Sequence, residues 1–510
     1  MSKFQNLLIS LVLAQYLCLT DVQAESLTAA QEARQLANCC EWQKAIDSYN
    51  KALSTAPKNA VYLARRGIAY ARLGKFSQAF ADFDQAIKCD INCPDIYSRR
   101  GRVYSLLGFH EHAKQDAQKA LDLIGDVPKD PDLLAEHIGL LHIVEKKQEV
   151  EEESKNLLAL NTNGKDLVSL IDAAHAHSYL HHSKDVVYCL TQALKLAPER
   201  SYLHFVLGSY YGVLHKRPLA TEELDIYIAS NPKDPLALAT RGEQYRAQGL
   251  EAKALFDFDQ AVKLEPNLPI ALLGRAYIFR SVGSYQKAID DYSKVISLEP
   301  TSVGTYCERA VTYCHQKEWA KALKDTDQAI AINPQDARGY TNRGWTRDSM
   351  GQFSQAIEEY NKAIAVAPKD SDIYFCRGMC FRSYKKYTEA IADLTEAIKY
   401  DPLNAIPFCA RGSALVSDHQ YERAIADCTQ SLKLSPNRTH PHLSRGIAYR
   451  MLGKNQLALL DLNVAIRQVP KYGEAYYERS FVYKAMGKEA LSNSDLKKAK
   501  TFGYQSPEVM

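Results

Sequence analysis

The sequence has almost no excess of charge of either sign: 63 Lys and Arg residues face 60 Asp and Glu residues, a formal net charge of +3. This balance argues against nucleic acid as the main partner, because no basic surplus is available to neutralise phosphates. Long apolar runs are also scarce. With 46% hydrophobic and 24% charged residues, the composition excludes a disordered chain and a multi-span membrane protein.

Signatures of catalysis and of phosphate binding are absent as well. No G-x-x-x-x-G-K-[ST], G-x-G-x-x-G, H-E-x-x-H or G-x-S-x-G pattern occurs in the sequence. We therefore predict a protein without catalytic residues and without a cofactor.

One apolar stretch stands at the N-terminus. Lys3 precedes a mostly apolar run over residues 7–19, and small side chains follow within residues 22–24. The run is shorter than the roughly 20 residues that span a bilayer, so residues 1–24 are predicted to be a cleaved secretory signal. The chain is then exported, to a periplasm or to the outside, and has no membrane contact. In the alternative, residues 4–20 remain as an anchor and the protein is a membrane-tethered assembly factor.

The rest of the sequence repeats with a period of 34 residues. A proline recurs at that interval, at positions 198, 232, 266, 300, 334, 368, 402, 436 and 470. A fixed period of this size is typical of a stacked array. We predict fourteen repeats: three over 26–127, an insertion and a degenerate repeat over 128–166 (the repeat itself at 133–166), and ten over 167–506.

Each repeat has the pattern of a helix, a tight turn and a second helix. With the proline at position 32, position 8 is usually Gly, position 11 aromatic and position 20 Ala, as in Gly67, Tyr70 and Ala79. Positions 4, 8 and 11 form one helical stripe and positions 20, 24, 27 and 28 another. A Gly near position 15, such as Gly74, breaks the chain between them. The fold class is therefore predicted to be all-α.

This pattern resembles the tetratricopeptide repeat family over nearly all of the chain after the N-terminal segment. The resemblance implies an α-solenoid of about fourteen helix-turn-helix repeats that form a superhelix. It also implies a non-catalytic scaffold that binds partner proteins or extended peptides in its concave groove. The last repeat, with Ser492 and Lys500 in place of the usual Ala and apolar residue, is predicted to be the end cap.

The sequence departs from the family at position 7, where the family often has Leu and ten repeats here have Arg. The same ten repeats have an acid at position 23, as in Arg309 with Asp325 and Arg377 with Asp393, whereas the first and fifth repeats lack both. Because the two residue types occur together, we predict structural ion pairs between the two helices of a repeat or across to its neighbour.

The resemblance places positions 2, 5, 9 and 12 on the concave surface. The residues predicted to bind partners there are Phe205, Arg246, Tyr277, Arg280, Trp345, Phe375, Arg382, Arg450, Tyr477 and Phe481. Aromatic anchors beside Arg are typical of recognition surfaces, and the arginines suit a peptide with acidic groups. For each aromatic side chain, packing between helices is the alternative. Carboxylates are only scattered on that surface, as at Glu243 and Asp348, which argues against a glycan-binding or catalytic role. The family's clamp for chaperone tails, Lys at position 5 with Asn at position 9, occurs in no repeat.

A histidine group supports metal binding as an alternative function. It comprises His175, His177, His181 and His182, of which His177 and His181 have the spacing that puts two side chains on one helix face. The competing interpretation is packing, because His177 holds the aromatic position 11 and the last two fall in the predicted turn. We assign no metal ligand from the sequence.

Twelve cysteines, of which eleven follow the predicted signal, give an odd number in an exported chain. Most lie on helical stripes, where we expect them to act as small buried side chains. The disulfide candidates are Cys376 with Cys409 and Cys89 with Cys93.

Overall fold

The computed structural model describes residues 31–33, 42–107, 109–128, 131–160 and 166–504, and every regular element among them is an α-helix. The predicted signal over residues 1–24 lies outside this part of the chain. In the described repeats the first helix (helix A) covers about positions 1–13 and the second (helix B) about positions 17–30. The all-helical fold predicted from the sequence is confirmed.

The chain divides into two compact units, Met1–Thr301 and Ser302–Met510. The helices of the first unit are α1 (Trp42–Thr55), α2 (Ala60–Arg72), α3 (Phe76–Cys89), α4 (Pro94–Leu107), α5 (His110–Ile124), α6 (Pro131–Ile143), α7 (Lys147–Leu160), α8 (Leu167–Tyr179), α9 (Ser183–Leu196), α10 (Tyr202–Val213), α11 (Arg217–Ser230), α12 (Pro235–Ala247), α13 (Glu251–Leu264), α14 (Pro269–Ser281) and α15 (Tyr285–Leu298).

The second unit continues the same alternation of A and B helices. Its helices are α16 (Val303–His315), α17 (Trp319–Ile332), α18 (Ala337–Ser349), α19 (Phe353–Val366), α20 (Ser371–Ser383), α21 (Tyr387–Tyr400), α22 (Ala405–Ser417), α23 (Tyr421–Leu434), α24 (Thr439–Met451), α25 (Asn455–Gln468), α26 (Gly473–Ala485) and α27 (Glu489–Thr501).

Helices A and B of one repeat approach closely because small residues lie between them. Ala79 is fully buried, and a Cβ added at Gly67 would lie 3.1 Å from the Ala79 carbonyl oxygen and 3.2 Å from the Phe83 ring. The recurring Gly at position 8 is thus explained by contact with helix B, which outweighs its cost of about 1 kcal/mol inside a helix.

The turn between the helices has the same geometry throughout the described repeats. Position 15 takes a left-handed conformation, with φ of +70° at Gly74 and +60° at His181 and Lys317. The next residue then donates its N–H to the carbonyl of position 11, as Lys75 does to Tyr70 at 2.9 Å. This is the hydrogen bond of a Schellman motif that spans five residues along the chain, and it ties position 16 to the end of helix A.

The degenerate repeat begins two residues earlier than the sequence analysis placed it. Helix α6 starts at Pro131, Glu145 has the left-handed φ of position 15, and His137 lies 2.8 Å from Glu153, so these two take positions 7 and 23. The predicted start at residue 133 is therefore wrong. This repeat has no proline at position 32, so its start cannot be read from the 34-residue proline series.

Two aromatic residues that follow helix α27 pack back on helix α26. Phe502 packs on Tyr476 and Tyr504 on Tyr477, with ring centroids 5.5 and 4.9 Å apart.

Among the described residues, the helices are too short or too polar to cross a bilayer.

Candidate functional site

The arginines of position 7 all join the two helices of their own repeat. Each donates from Nε and Nη2 to the acid of position 23 at 2.6–3.0 Å. The pairs are Arg66–Asp82, Arg100–Asp116, Arg241–Asp257, Arg275–Asp291, Arg309–Asp325, Arg343–Glu359, Arg377–Asp393, Arg411–Asp427, Arg445–Asp461 and Arg479–Asp495. Of the two arrangements left open by the sequence, the structure has the one within a repeat.

The third donor of most of these arginines connects neighbouring repeats. Nη1 reaches position 25 of the preceding helix B at 2.5–3.0 Å. The acceptors are Asn50, Asp84, Asp225, Asp259, Asp327, Asn361, Thr395, Thr429 and Asn463. One guanidinium thereby connects its own helix to two others by hydrogen bonds. Lysine cannot replace it, because an ammonium group lacks the planar arrangement of donors. These arginines are structural and are not available to a partner.

Phe205 is not accessible to a partner. Its side chain is only 2% exposed and packs on Tyr227 with ring centroids 5.2 Å apart. Helix α10 is buried on almost all sides, because its sequence is apolar around its whole circumference. The prediction that Phe205 binds a partner is therefore wrong, and the packing alternative holds for this residue.

Three other predicted residues form one cluster in the first unit. The guanidinium of Arg246 lies 4.5 Å and that of Arg280 5.3 Å from the ring centroid of Tyr277, which is 39% exposed. Arg246 also bonds Glu243 through Nε at 2.7 Å. The charge of Arg246 is therefore already compensated within its own helix.

The predicted aromatic residues of the second unit are half-buried. Trp345 packs against the core of the repeat before it, and Phe375 against the core formed by α21 and α22. Phe481 lies edge-on to Tyr477 at 4.9 Å, with the guanidinium of Arg450 at 5.3 Å from its ring centroid. These rings contribute both to packing and to the surface.

Arg450 is compensated by a carboxylate of the next repeat. Its Nε donates to Glu478 at 2.8 Å, and burial raises the pKa of Glu478 while Arg450 lowers it. Arg450 thus resembles Arg246 in having an acidic partner.

Arg382 differs from Arg246 and Arg450. Within the described part of the chain, its side chain has no hydrogen bond and no ion pair. It lies near Cys409 and His440: burial raises the pKa of Cys409 to about 11, against the opposing charges of Arg438 and Arg382. Partial desolvation lowers the pKa of His440, and Arg382 and Arg438 lower it further. We call Arg382, Arg438 and His440 the basic patch.

Arg438 was missed by the sequence analysis, although a signal for it exists. It occupies position 34, where Asn59, Asp234 and Asp370 each cap the following helix with a side-chain oxygen. Arg438 makes no such cap on α24, and its Nε is buried without a hydrogen-bond partner among the described residues. Leu268, Ser302 and Tyr472 also make no cap at this position, but none of them is charged, so the arginine is a candidate for a functional role.

The histidine group is arranged differently from the prediction. His175 is buried, and His181 lies in the left-handed turn, so His177 and His181 do not share a helix face. Instead the Nδ1 atoms of His177 and His182 are 3.4 Å apart. Asp185 lies beside them, with all three ligand atoms within 4.8 Å of one another.

The cysteines of the described residues are all free thiols, including both pairs suggested as disulfides. Burial raises the pKa of Cys376 and of Cys380 to about 12, which keeps them protonated and unreactive. They serve as small core side chains.

Comparison with known families decides the class of the repeats. Two family models described as Tetratricopeptide repeat match residues 310–380 and 270–302. These residues match tetratricopeptide repeats. The same helical-hairpin geometry continues on both sides of them.

Several known proteins are similar to this chain. DnaJ homolog subfamily C member 7 from Homo sapiens is 24% identical over 44% of this chain and 40% of its own length. Small glutamine-rich tetratricopeptide repeat-containing protein 2 from Saccharomyces cerevisiae is 35% identical over 21% of this chain and 30% of its own length. The chain thus spans less than half the length of either relative. The crystal structure of yeast Tom70 is 14% identical, with a TM-score of 0.43 over 94% of this chain and 98% of its own.

Proposed function

We propose that this protein is a non-catalytic scaffold that binds partner proteins, and that the basic patch of the second unit holds an acidic, extended segment of a partner. The proposal rests chiefly on one contrast. The arginines of position 7, Arg246 and Arg450 each have a carboxylate, whereas Arg382 and Arg438 have none within the described residues.

The electrostatic setting of the patch favours an anion. Two guanidiniums near one imidazole repel each other, so a carboxylate placed between them is attracted by both, and the Arg fork pairs with it through two hydrogen bonds. Half-buried Glu474 is an acid on which Arg382 acts. Burial and Glu478 raise its pKa more than Arg382 lowers it, and no ion pair joins Glu474 to Arg382.

Aromatic side chains of the same unit supply apolar contact. Phe375 belongs to the same helix as Arg382. Tyr472, the residue before α26, forms a hydrogen bond of 2.9 Å between its hydroxyl and His440 Nδ1. A partner that places an apolar residue beside an acidic one would use both kinds of contact, which is how binding hot spots are usually composed.

The test is a comparison of partner binding between matched variants of the full chain. Arg382→Ala with Arg438→Ala removes the patch, and Arg423→Ala with Arg467→Ala removes two exposed arginines of B helices as the control. Partners are captured from the source cell and identified by mass spectrometry. Acidic peptides from the retained partners are then titrated by fluorescence anisotropy at two salt concentrations.

The proposal expects the patch variant to lose partners that the control variant keeps, and expects peptide affinity to fall with salt. Identical partner sets for the two variants, with equal melting temperatures, would show that binding lies elsewhere. Loss of partners by both variants equally would show that charge alone, not this patch, governs binding.

We also propose that the chain is exported after cleavage behind Ala24. The support is the sequence of the N-terminal segment: a basic start, a short apolar run and small residues at the cleavage site. N-terminal sequencing of the tagged protein from its native cell tests this. A product that begins at Glu25 is expected, whereas an intact N-terminus in the membrane fraction would support the anchor formed by residues 4–20.

A further inference from the structure

The repeats provide an internal comparison for His177, His182 and Asp185. These residues occupy positions 11, 16 and 19, at the end of helix A, the turn and the start of helix B. The turn ties position 16 to position 11 by the bond from the His182 N–H to the His177 carbonyl oxygen, which is 2.9 Å long.

The same three positions come together in other repeats, so their proximity here belongs to the fold. At positions 19 and 11, the Nζ atoms of Lys253, Lys287 and Lys321 each lie 5.4 Å from the ring centroids of Tyr245, Phe279 and Tyr313. At positions 16 and 11, Lys216 lies 5.9 Å from the Tyr211 ring centroid. In these four repeats a lysine therefore lies above an aromatic ring at the turn.

In the fifth repeat positions 11, 16 and 19 hold three side chains of the types that bind metal ions. Among the residues that the structure describes, His177, His182 and Asp185 are the one group of three whose ligand atoms lie within 4.8 Å of one another. His177 is half-buried, whereas His182 and Asp185 are exposed, so solvent reaches the group.

The distance between the two imidazoles suits one kind of ion. Bonds of about 2.0–2.1 Å in a tetrahedral zinc site put two ligand nitrogens about 3.3 Å apart. The Nδ1 atoms of His177 and His182 are 3.4 Å apart. Imidazole with one carboxylate favours Zn²⁺ and its neighbours over Mg²⁺ or Ca²⁺, which prefer oxygen ligands alone.

We propose that His177, His182 and Asp185 form a surface site for Zn²⁺, with water in the fourth position. The ion binds to the two Nδ1 atoms in their deprotonated form and to a carboxylate oxygen. It joins the end of α8 to the start of α9 and so stabilises the turn of this repeat. The site is independent of the proposed function, since it lies in the first unit and shares no residue with the basic patch.

Isothermal titration of the chelator-treated full chain with ZnCl₂ at pH 7.5 tests the proposal, together with the melting temperature with and without zinc. His177→Phe installs the aromatic residue that position 11 has elsewhere, so the hairpin is retained. Asp185→Asn removes an exposed ligand. His181→Asn is the matched control, because it removes an adjacent exposed histidine that is not a ligand.

We expect the native chain and His181→Asn to bind zinc with the same stoichiometry and to gain melting temperature. His177→Phe should bind one equivalent fewer and Asp185→Asn should bind at least about tenfold more weakly. Absence of saturable binding to the native chain would overturn the site, leaving a hydrogen bond between two imidazoles. Equal stoichiometry and affinity in His177→Phe would overturn it too, because the zinc would then be held elsewhere.

Discussion

Arg241 and Asp257 face each other through two parallel hydrogen bonds of 2.8 Å, and the carboxylate is only 1% exposed. Hydrogen bonding to Asp257 raises the pKa of Arg241, against the opposing effect of burial. The remaining donor of Arg241 reaches Asp225 of the preceding repeat at 2.7 Å, where the carboxylate is 53% exposed. The same arginine therefore makes one buried and one solvated ion pair, and their energies should differ.

The first prediction separates these two contacts. Asp257→Asn leaves a charged guanidinium beside a buried amide and should lower the free energy of unfolding by about 3 kcal/mol. Asp225→Asn removes a solvated pair and should cost about 0.5 kcal/mol. Urea unfolding followed by circular dichroism measures both. Equal losses would mean that stacking of neighbouring repeats depends on the exposed pair as much as on the buried one.

The second prediction concerns exchange of the two charges in another repeat. Arg309→Asp or Asp325→Arg alone places like charges together and should lower the free energy of unfolding by about 3 kcal/mol each. The double variant restores opposite charges across the same helix pair and should recover at least half of the summed loss.

A matched change on the outside of the stack serves as its control. Arg467→Asp alters an exposed arginine of a B helix and should leave the unfolding free energy within about 0.5 kcal/mol. A double variant as unstable as the sum of its two single changes would contradict the pairing seen in the structure.

The repeats made the ion pairs predictable from one sequence. Arg377 and Asp393 occur together because position 7 and position 23 vary together among the repeats, and co-occurrence indicates contact. The sequence did not distinguish a contact within a repeat from one between repeats. That choice depends on how far the guanidinium reaches, and the additional bond from Arg377 to Asn361 appears only in three dimensions.

The recognition surface was less predictable, because position within a repeat does not determine exposure or charge compensation. Phe205 holds the same position 5 as Phe375 but is buried, since α10 is mostly apolar and packed on almost all sides. Arg246 and Arg382 share position 12, yet only Arg246 has an acid three residues before it on the helix. Neighbouring side chains, rather than the repeat pattern, decide which of these residues a partner can reach.

The third prediction tests close approach at two glycines. A Cβ at Gly274 would lie 2.3 Å from the buried ring of Phe258, whereas one at Gly304 would meet only the flexible guanidinium of Arg338, with Nη1 at 3.1 Å. Gly274→Ala should therefore destabilise the protein by about 2 kcal/mol through overpacking. Gly304→Ala should be neutral or stabilising by up to about 1 kcal/mol, because alanine favours the helix. Urea midpoints compare the two, and an equal effect at both positions would contradict this packing.

The fourth prediction is a pH dependence that arises from His142, on helix α6. Burial against the Tyr179 ring, 5.1 Å away between centroids, lowers the pKa of His142 from 6.5 to about 4, and the charge of His181 contributes to the same shift. Where a histidine has a lower pKa in the folded chain than in the unfolded chain, its full contribution to the free energy of unfolding is present at pH values above its unfolded pKa. It loses that contribution as the pH falls from about 6.5 towards about 4.

His142→Phe keeps the ring contact with Tyr179 and removes the titrating group. Between pH 8 and pH 7 the melting temperatures of the native chain and this variant should change in parallel. From pH 6.5 to pH 4 the native chain should lose stability faster. In this range His142 is neutral in the folded chain but protonated in the unfolded chain, so acid favours unfolding. Differential scanning calorimetry across this range measures the gap between the two curves. Carboxylates that become protonated at low pH affect both proteins equally, so a constant gap would show that His142 is not held neutral by the fold.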